Sequence, residues 1–348
     1  SLVFVLPFLL VARLTSPVTN PVASLLLKMP LVVSALVHLL ILYAAMHFWA
    51  EISEYRLIVL KPMLVAILLT LSLNMINGYM GEFSCSHPGF MALGAYACSA
   101  FTVGLFVDDQ VLGEAIITSS YSFLAFPLGL IFGGVVAAFG ALIIAIPSFR
   151  TRGDYLAIIS LAFLFIVKSF VENMEPLGGS RGLSGQPEWA TLPVVFVVVV
   201  IGVWMINNFV TSLMGKAMNT VRDDESAAEA MTIDTRKTKM VTFMMSAFWA
   251  GVAGGLFAHI MSYINPAMFG LQKLAEILAM VYFGGLNSVY GSIVGAVSIS
   301  FLGEMLRPLE IAKWFIIPLI LILVMIFRPT GLLAFKEFNV RNILKPKK

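Results

Sequence analysis

The sequence predicts an all-α, polytopic helical membrane protein with about ten transmembrane helices and broken or re-entrant segments. Three observations carry that prediction. The composition is 59% hydrophobic and only 12% charged over 348 residues, with a mean hydropathy of +0.95, whereas an ordinary soluble domain is about 25% charged. The apolar runs are long and unbroken, not the alternating ten-residue segments of an outer-membrane barrel. The few charges gather in short stretches between those runs, as loops between spans do. A net charge of +3 without a concentrated basic face excludes a nucleic-acid-binding chain. The two cysteines, Cys85 and Cys98, lie close together in one apolar region and make no disulfide framework.

A spanning helix needs about 20 mainly apolar residues to cross about 30 Å of hydrocarbon at 1.5 Å per residue. Runs that meet this test lie near 31–49, 57–78, 88–107, 122–147, 154–172, 193–214, 240–261, 289–306 and 311–328. The stretch 271–287 is shorter and ends in Gly284 and Gly285, so a tilted or broken span is expected there. Residues 1–12 are apolar but too short to cross alone. The chain begins at Ser1, which fits a first helix given in part or a processing scar.

Basic residues orient the spans. The segment 215–239 holds Lys216, Arg222, Arg236, Lys237 and Lys239, and the tail holds Lys336, Arg341, Lys345, Lys347 and Lys348. Both are expected on the cytoplasmic side, as is the short turn with Arg150 and Arg152. Asp108, Asp109 and Glu114 mark 108–119 as external, and three Glu against Arg181 do the same for 172–192.

Interruptions of the apolar pattern carry the information about function. Between two spans, residues 74–89 hold Asn74, Asn77, Gly78, Tyr79, Gly81, Glu82, Ser84, Ser86, His87, Pro88 and Gly89. Irregular backbone at membrane depth is tolerated only where protein or a water-lined cavity satisfies it. Two readings fit: a broken or re-entrant element lining a solute path, or an interfacial turn in which His87 caps a helix end. Gly89 and Gly94, with Ala92 and Ala95, also suit close helix contact. A second interruption, Leu177 to Pro187, reads as a flexible external loop, either a plain connection or a docking or gating loop. A third holds Gly284, Gly285, Gly291 and Gly295; the small-xxx-small spacing of Gly291 and Gly295 favours helix packing over a ligand role. His38, His47 and His259 share no ligand spacing, so no metal site is expected. Lys168 and Glu172 are four apart and can pair on one helix face.

The segment 215–239 holds five basic and five acidic residues. Its core, Asp224 to Met231, is rich in helix formers, and its acids sit early, where a helix N-terminus favours them. A short amphipathic helix is expected, with Ala227, Ala228 and Met231 forming a small apolar face that fits a groove on another protein. A solvated helix without a partner is the alternative. No G-x-x-x-x-G-K-[ST] phosphate loop, nucleophile elbow or H-E-x-x-H helix occurs in the sequence, so energy for any transport must come from a partner or an ion gradient.

Five ordered stretches between about residues 70 and 335 carry a family resemblance. Gly78, Tyr79, Gly81, Ser84, His87, Phe90, Gly94, Ala95 and Tyr96 resemble the signature of branched-chain amino-acid ABC transporter permeases of the LivM type. Arg152 to Ile158 resembles the R-G-D-Y-L-A-I element of that family. Arg222 to Met231 is similar to its R-E-D-E-x-A-A-E-A-M loop, Phe283 to Ser288 to its G-G-x-G-S element, and Arg328 to Leu332 to its R-P-x-G-L element. The chain departs from the family at Ser86 and Thr232, where glycine is usual, at Pro88 after the motif histidine, and at Phe165, the position of a family glutamate.

The resemblance implies one permease domain over 1–348 with a cytoplasmic coupling loop at 215–239 and a cytoplasmic basic tail at 329–348, in a bacterial or archaeal inner membrane. It implies a LivH-type second permease, two cytoplasmic ABC ATPases that bind ATP and Mg, and an extracytoplasmic solute-binding protein. This chain itself would bind no cofactor. Arg222, Asp223, Asp224, Glu225, Ala227, Ala228, Glu229, Ala230 and Met231 would couple to the ATPases. Asn77, Tyr79, Ser84, Ser86 and His87 would lie near the substrate path. The implied solute is a branched-chain amino acid or a related small solute such as urea, a short amide or an aromatic acid. A stand-alone secondary transporter or channel is the rival; it predicts intramembrane charge relays, and these are scarce in the sequence.

Overall fold

The computed structural model describes residues 31–106, 122–149, 155–327 and 331–333. Residues 31–54 belong to one compact unit and 55–333 to a second. Expectations for residues 1–12, Asp108, Asp109, Glu114, Arg150, Arg152 and the basic tail fall outside the described residues.

In the first unit, α1 (Leu31–Glu51) is apolar along its length. Its histidines are satisfied locally: His38 Nδ1 lies 2.6 Å from the Ser34 carbonyl. His47 sits 3.1 Å from Glu51 and stacks on Tyr43.

The second unit contains α2 (Glu54–Asn74), which runs into a wide π-type turn, Met75–Met80, and then α3 (His87–Phe106), α4 (Ser122–Ser148), α5 (Tyr155–Glu172) and α6 (Leu192–Thr211). Two short helices, α7 (Leu213–Asp223) and α8 (Glu225–Ala230), lead into α9 (Thr235–Met261), α10 (Leu271–Gly284), α11 (Val289–Met305) and α12 (Lys313–Phe327). Apart from α7 and α8, which lie in the charged segment, each helix falls on a run that the sequence marks as apolar, so the protein is an all-α, multi-pass membrane protein. Among the described residues, eight helices are long and apolar enough to cross a bilayer. The expectation of about ten is met in position but not in length: α11 has 17 residues and α12 has 15, roughly 25 and 22 Å at the helical rise. The stretch 271–287 is one continuous helix to Gly284. A short turn, Pro266–Phe269, extends it to a 19-residue crossing, Pro266–Gly284.

Helices α3, α4 and α9 pack on one another and form the centre of this unit. Their backbones touch because small residues face each other. A Cβ on Gly94 would lie 2.2 Å from the Gly251 carbonyl oxygen, and one on Gly254 would lie 2.0 Å from that of Met91. With no hydrophobic drive between helices in lipid, such close approach supplies the association through dispersion. Phe90 fills one end of the seam against Phe163 and Phe243. The hairpin of α10 and α11 uses the same device: a Cβ on Gly284 would lie 2.0 Å from the Gly291 carbonyl oxygen. Gly284, Gly291 and Gly295 are therefore packing residues. At the far side of this hairpin, Leu332 and Leu333 donate their N–H groups to the Phe283 and Gly284 carbonyls at 3.1 and 2.9 Å.

The loop Leu177–Pro187 corrects one expectation. It is not flexible but tied down. Strand β1 (Leu183–Ser184) pairs antiparallel with β2 (Tyr263–Ile264), and the Tyr263 hydroxyl donates to the Arg181 carbonyl at 2.7 Å. Positive φ values at Gly178 and Gly182 show the reason: the glycines serve tight turns, not mobility. Beyond the loop, Trp189 stacks on His259, which bonds to Thr102 Oγ1 at 2.9 Å and to the Gly255 carbonyl at 2.8 Å. Lys168 and Glu172 pair at 3.7 Å as their spacing predicts.

One prediction follows from the glycine seam. Gly94→Leu forces α3 away from α9 and is expected to cost about 1–3 kcal/mol. Gly104→Leu, on the same helix but with nothing within 4 Å of a new Cβ, should stay within about 0.5 kcal/mol. Thermal aggregation midpoints of the two variants in detergent check the contrast.

Candidate functional site

The interruption at 74–89 is a broken helix, buried over 74–80 and 84–89 and exposed at Gly81 and Phe83. A π-type turn leaves carbonyls without their usual partners four residues on, and side chains from other helices supply them. Asn74, fully buried, donates from Nδ2 to the Ser288 carbonyl at 3.1 Å and to Ser292 Oγ at 2.7 Å. Its Oδ1 accepts from the Asn287 N–H at 3.1 Å. One side chain thus closes the end of α2 onto the turn between α10 and α11. Gly78 must lack a Cβ, because that atom would lie 1.9 Å from Asn74 Oδ1.

Past Gly81 the chain is irregular to Ser86, and Ser84, Ser86 and His87 are fully buried. Ser84 N–H donates to Asn77 Oδ1 at 3.2 Å, and the Ser84 and Ser86 hydroxyls lie 2.8 Å apart. Cys85 N–H donates to Ser160 Oγ at 2.9 Å. Ser246 Oγ donates to the Ser72 carbonyl at 2.5 Å. That single hydroxyl proton is then used, so His87 Nε2, 2.9 Å from the same oxygen, must be the donor to it. The imidazole is therefore the Nε2–H tautomer, assigned by this network. Asn77, Tyr79, Ser84, Ser86 and His87 come together in one buried stretch. His87 reaches Ser246 on α9 instead of capping its own helix, which corrects that part of the interfacial-turn alternative, while Gly81 and Phe83 at the end of the turn are exposed.

The charged segment 215–239 lies directly beneath this break. Ser212 caps α7 by accepting from the Gly215 N–H. Asp224 caps α8 by accepting from the Ala227 N–H at 3.0 Å, and Asp234 caps α9 by accepting from the Lys237 N–H at 2.8 Å. At the end of α8, the Ile233 N–H bonds to the Ala228 carbonyl and the Thr232 N–H to that of Glu229. That pair of bonds is a Schellman closure, which puts its C′ residue in the left-handed region. Thr232 occupies it with φ +63°, a position that favours glycine. Within α8, the expected apolar face of Ala227, Ala228 and Met231 is corrected at one member. Ala228 is fully buried, while Ala227, Ala230 and Met231 are exposed with Glu225 and Glu229. A six-residue helix seated by one side has a single inward position, and Ala228 takes it.

Two contacts join this segment to the break. Arg222 donates to the Gly78 carbonyl at 3.3 Å while its other guanidinium nitrogens hold Asp223 at 2.8 and 2.9 Å. Its stem packs on Gly81, whose φ is +76° and whose Cβ would lie 2.3 Å from Arg222 Cγ. Lys239 lies 2.7 Å from Glu82 and 2.9 Å from Glu225. Ser160 and Ser246 were not singled out by sequence reasoning, which names Asn74 and Glu82 only as members of the interruption and Lys239 only as a loop charge, with no partner for any of them. For Asn74 a signal existed: an amide at the end of an apolar run with no charge nearby. For Ser160, Ser246 and the Glu82–Lys239 pair the partners are 75 to 174 residues away, and no local pattern marks them.

Residues 56–327 match the protein family described as branched-chain amino acid transport system / permease component. The chain is 28% identical over 333 residues to the high-affinity branched-chain amino acid transport system permease protein LivM of Escherichia coli K12, covering 86% of this chain and 74% of that protein. It is 23% identical over 294 residues to the corresponding LivH permease protein of the same organism, covering 78% and 91%. A shorter similarity, 27% identity over 107 residues, links it to the ribose import permease protein RbsC of Haemophilus influenzae, covering 29% of this chain and 33% of that protein. No solved structure matches the chain significantly.

A β-branched residue in the left-handed region is strained by about 1–3 kcal/mol, and glycine loses part of that gain through its larger chain entropy. Thr232→Gly is therefore expected to stabilise the α8 closure by about 1 kcal/mol. Slower amide exchange at Ile233 and Thr232 checks it.

Proposed function

The chain belongs to the branched-chain amino acid transport system permease family, and from that membership we propose that it is the permease subunit of an ATP-binding-cassette importer. Its solute would be a branched-chain amino acid, as in the names of the LivM and LivH relatives, or a related small solute such as urea, a short amide or an aromatic acid. The partners would be a LivH-type permease, two cytoplasmic ATPases carrying ATP and Mg, and an extracytoplasmic binding protein. The whole chain would act as one permease domain in the inner membrane, with 215–239 and the basic tail on the cytoplasmic side.

The observation that carries this reading is the build of α8. It is capped at both ends, seated by Ala228 and exposed along Glu225, Glu229 and Met231. A short rigid helix with its outer face open suits a groove on an ATPase. Closure of the ATPases would displace α8, and Arg222, which reaches the Gly78 carbonyl, would carry that displacement to the broken helix. Work would enter as differential binding of α8 in two states of the ATPases, and the permease would alternate its access without chemistry on the solute. Asn77, Tyr79, Ser84, Ser86 and His87 would stand beside the path that opens when the break rearranges.

The complex purified from host membranes and placed in liposomes is expected to take up solute when ATP and Mg are supplied on the α8 side. Vanadate should abolish uptake and ionophores should leave it intact. Concentration of solute by this chain alone would overturn the reading. Glu229→Arg should leave membrane insertion intact and lower ATPase stimulation by loaded binding protein at least about fivefold; stimulation equal to that of the unmodified complex would count against α8 as the docking element.

A further inference from the structure

We propose that Lys239 is a positioning residue: it latches the α8 helix to the broken helix through paired contacts with Glu225 and Glu82, and ATP-driven movement of one is transmitted to the other through it. This rests on the reading of α8 as the docking element. It goes beyond that reading by assigning the transmission to one ammonium group and two carboxylates.

The geometry sets the roles. Lys239 is in the second turn of α9, where its side chain is 11% exposed. Its Nζ touches Glu82 Oε1 at 2.7 Å and Glu225 Oε2 at 2.9 Å. Glu82 is the first residue after Gly81, where the π-type turn ends, and Glu225 is the first residue of α8. One cation thus fixes the start of the docking helix and the end of the broken helix to the same point. Glu82 and Glu225 are 27% and 49% exposed on their side chains, so each carboxylate keeps water when the latch opens. Lys239 does not, and a buried ammonium without a partner is costly. Lys239 therefore keeps hold of at least one of the two carboxylates, and losing both at once is the costly event.

A second, independent contact bears on the same turn. The Arg222 stem lies against Gly81 and its Nη1 donates to the Gly78 carbonyl. The turn is held from the α7 side by Arg222 and from the α9 side by Lys239. A push on α8 cannot slide past it. Beyond the turn, Asn74 bonds to Asn287, Ser288 and Ser292, so displacement reaches the α10–α11 hairpin as well.

The test uses the complete transporter in liposomes and reads solute imported per ATP hydrolysed, together with assembly of the complex. Lys239→Met should leave assembly and ATP hydrolysis in place and lower solute per ATP by about tenfold, within the usual range of coupling between sites. Lys239→Arg, whose planar fork can bridge two carboxylates, should recover most of it. Glu82→Gln keeps the Lys239–Glu225 pair and serves if the methionine variant does not assemble; it should lower solute per ATP at least threefold, within the same range, and adding it to Lys239→Met should cost nothing more. Solute per ATP within twofold of the unmodified complex in Lys239→Met, or in Glu82→Gln if the methionine variant does not assemble, would overturn the latch. If the unmodified complex itself shows no ATP-driven uptake, the functional reading fails first. If it transports and the variants match it, the latch alone fails.

Discussion

Water is absent from the bilayer interior, so every backbone N–H and C=O released by a break in a helix must find a partner in the protein. That requirement organises the region around residues 74–89. The π-type turn after Asn74 and the irregular stretch to Ser86 release polar groups at depth, and six side chains meet there, three of them (Ser160, Ser246 and Ser292) from other helices. Asn74, Asn77, Ser160 and Ser246 each bond to backbone, and His87 and Ser292 bond to two of those side chains. The break can be stable only where α5, α9 and the α10–α11 turn converge. Close packing by glycine brings α3 and α9 near enough: without Gly94 and Gly251 in contact, α9 would stand off from α3 and Ser246 would not reach His87.

Charge follows the same logic in reverse. The hydrocarbon excludes ions, so the acidic and basic residues of this part of the chain collect at its end. Among them only Lys239 is drawn inward. Placing two carboxylates on one buried cation leaves a net negative cluster, which favours solvation on the outer side and attraction on the inner side. The result is a polar hinge region between a rigid apolar helix bundle and the exposed α8. A pure surface pair would contribute little, because water competes for it; burial of one member is what gives the arrangement directional stiffness.

The fold was largely legible in the sequence, and the candidate site only in part. Apolar length set nearly every helix, because the bilayer enforces that length. The short helix α8 was legible because capping is local: Asp224 and Asp234 sit just before helix-forming stretches. Three features were not. The loop 177–187 reads as flexible because glycine is ambiguous: it permits both mobility and tight turns, and only the pairing of Leu183 with Ile264 decides between them. The inward turn of Ala228 depends on which side of a six-residue helix meets the protein, a tertiary fact. Lys239 looks like one more basic residue in a charged loop, since its partners lie 157 and 14 residues away in sequence.

The departures from the family pattern sort by what they touch. Pro88 is the second residue of α3, where its missing N–H would have no helical partner in any case, so the change is neutral for the backbone. Ser86 introduces a hydroxyl where glycine has none, and that hydroxyl is met by Ser84 within the buried stretch; the pair fills the space instead of opening it. Thr232 strains the closure of α8 without altering its outer face. Phe165 differs in kind. It lies on α5 with its ring half exposed, away from the break. A carboxylate at that depth would need a partner, whereas phenylalanine is at ease against lipid or an apolar neighbour. The changes near the break are thus absorbed locally by hydrogen bonding or helix-end chemistry. The change at Phe165 instead concerns what the outside of α5 can accept, since that side chain is half exposed.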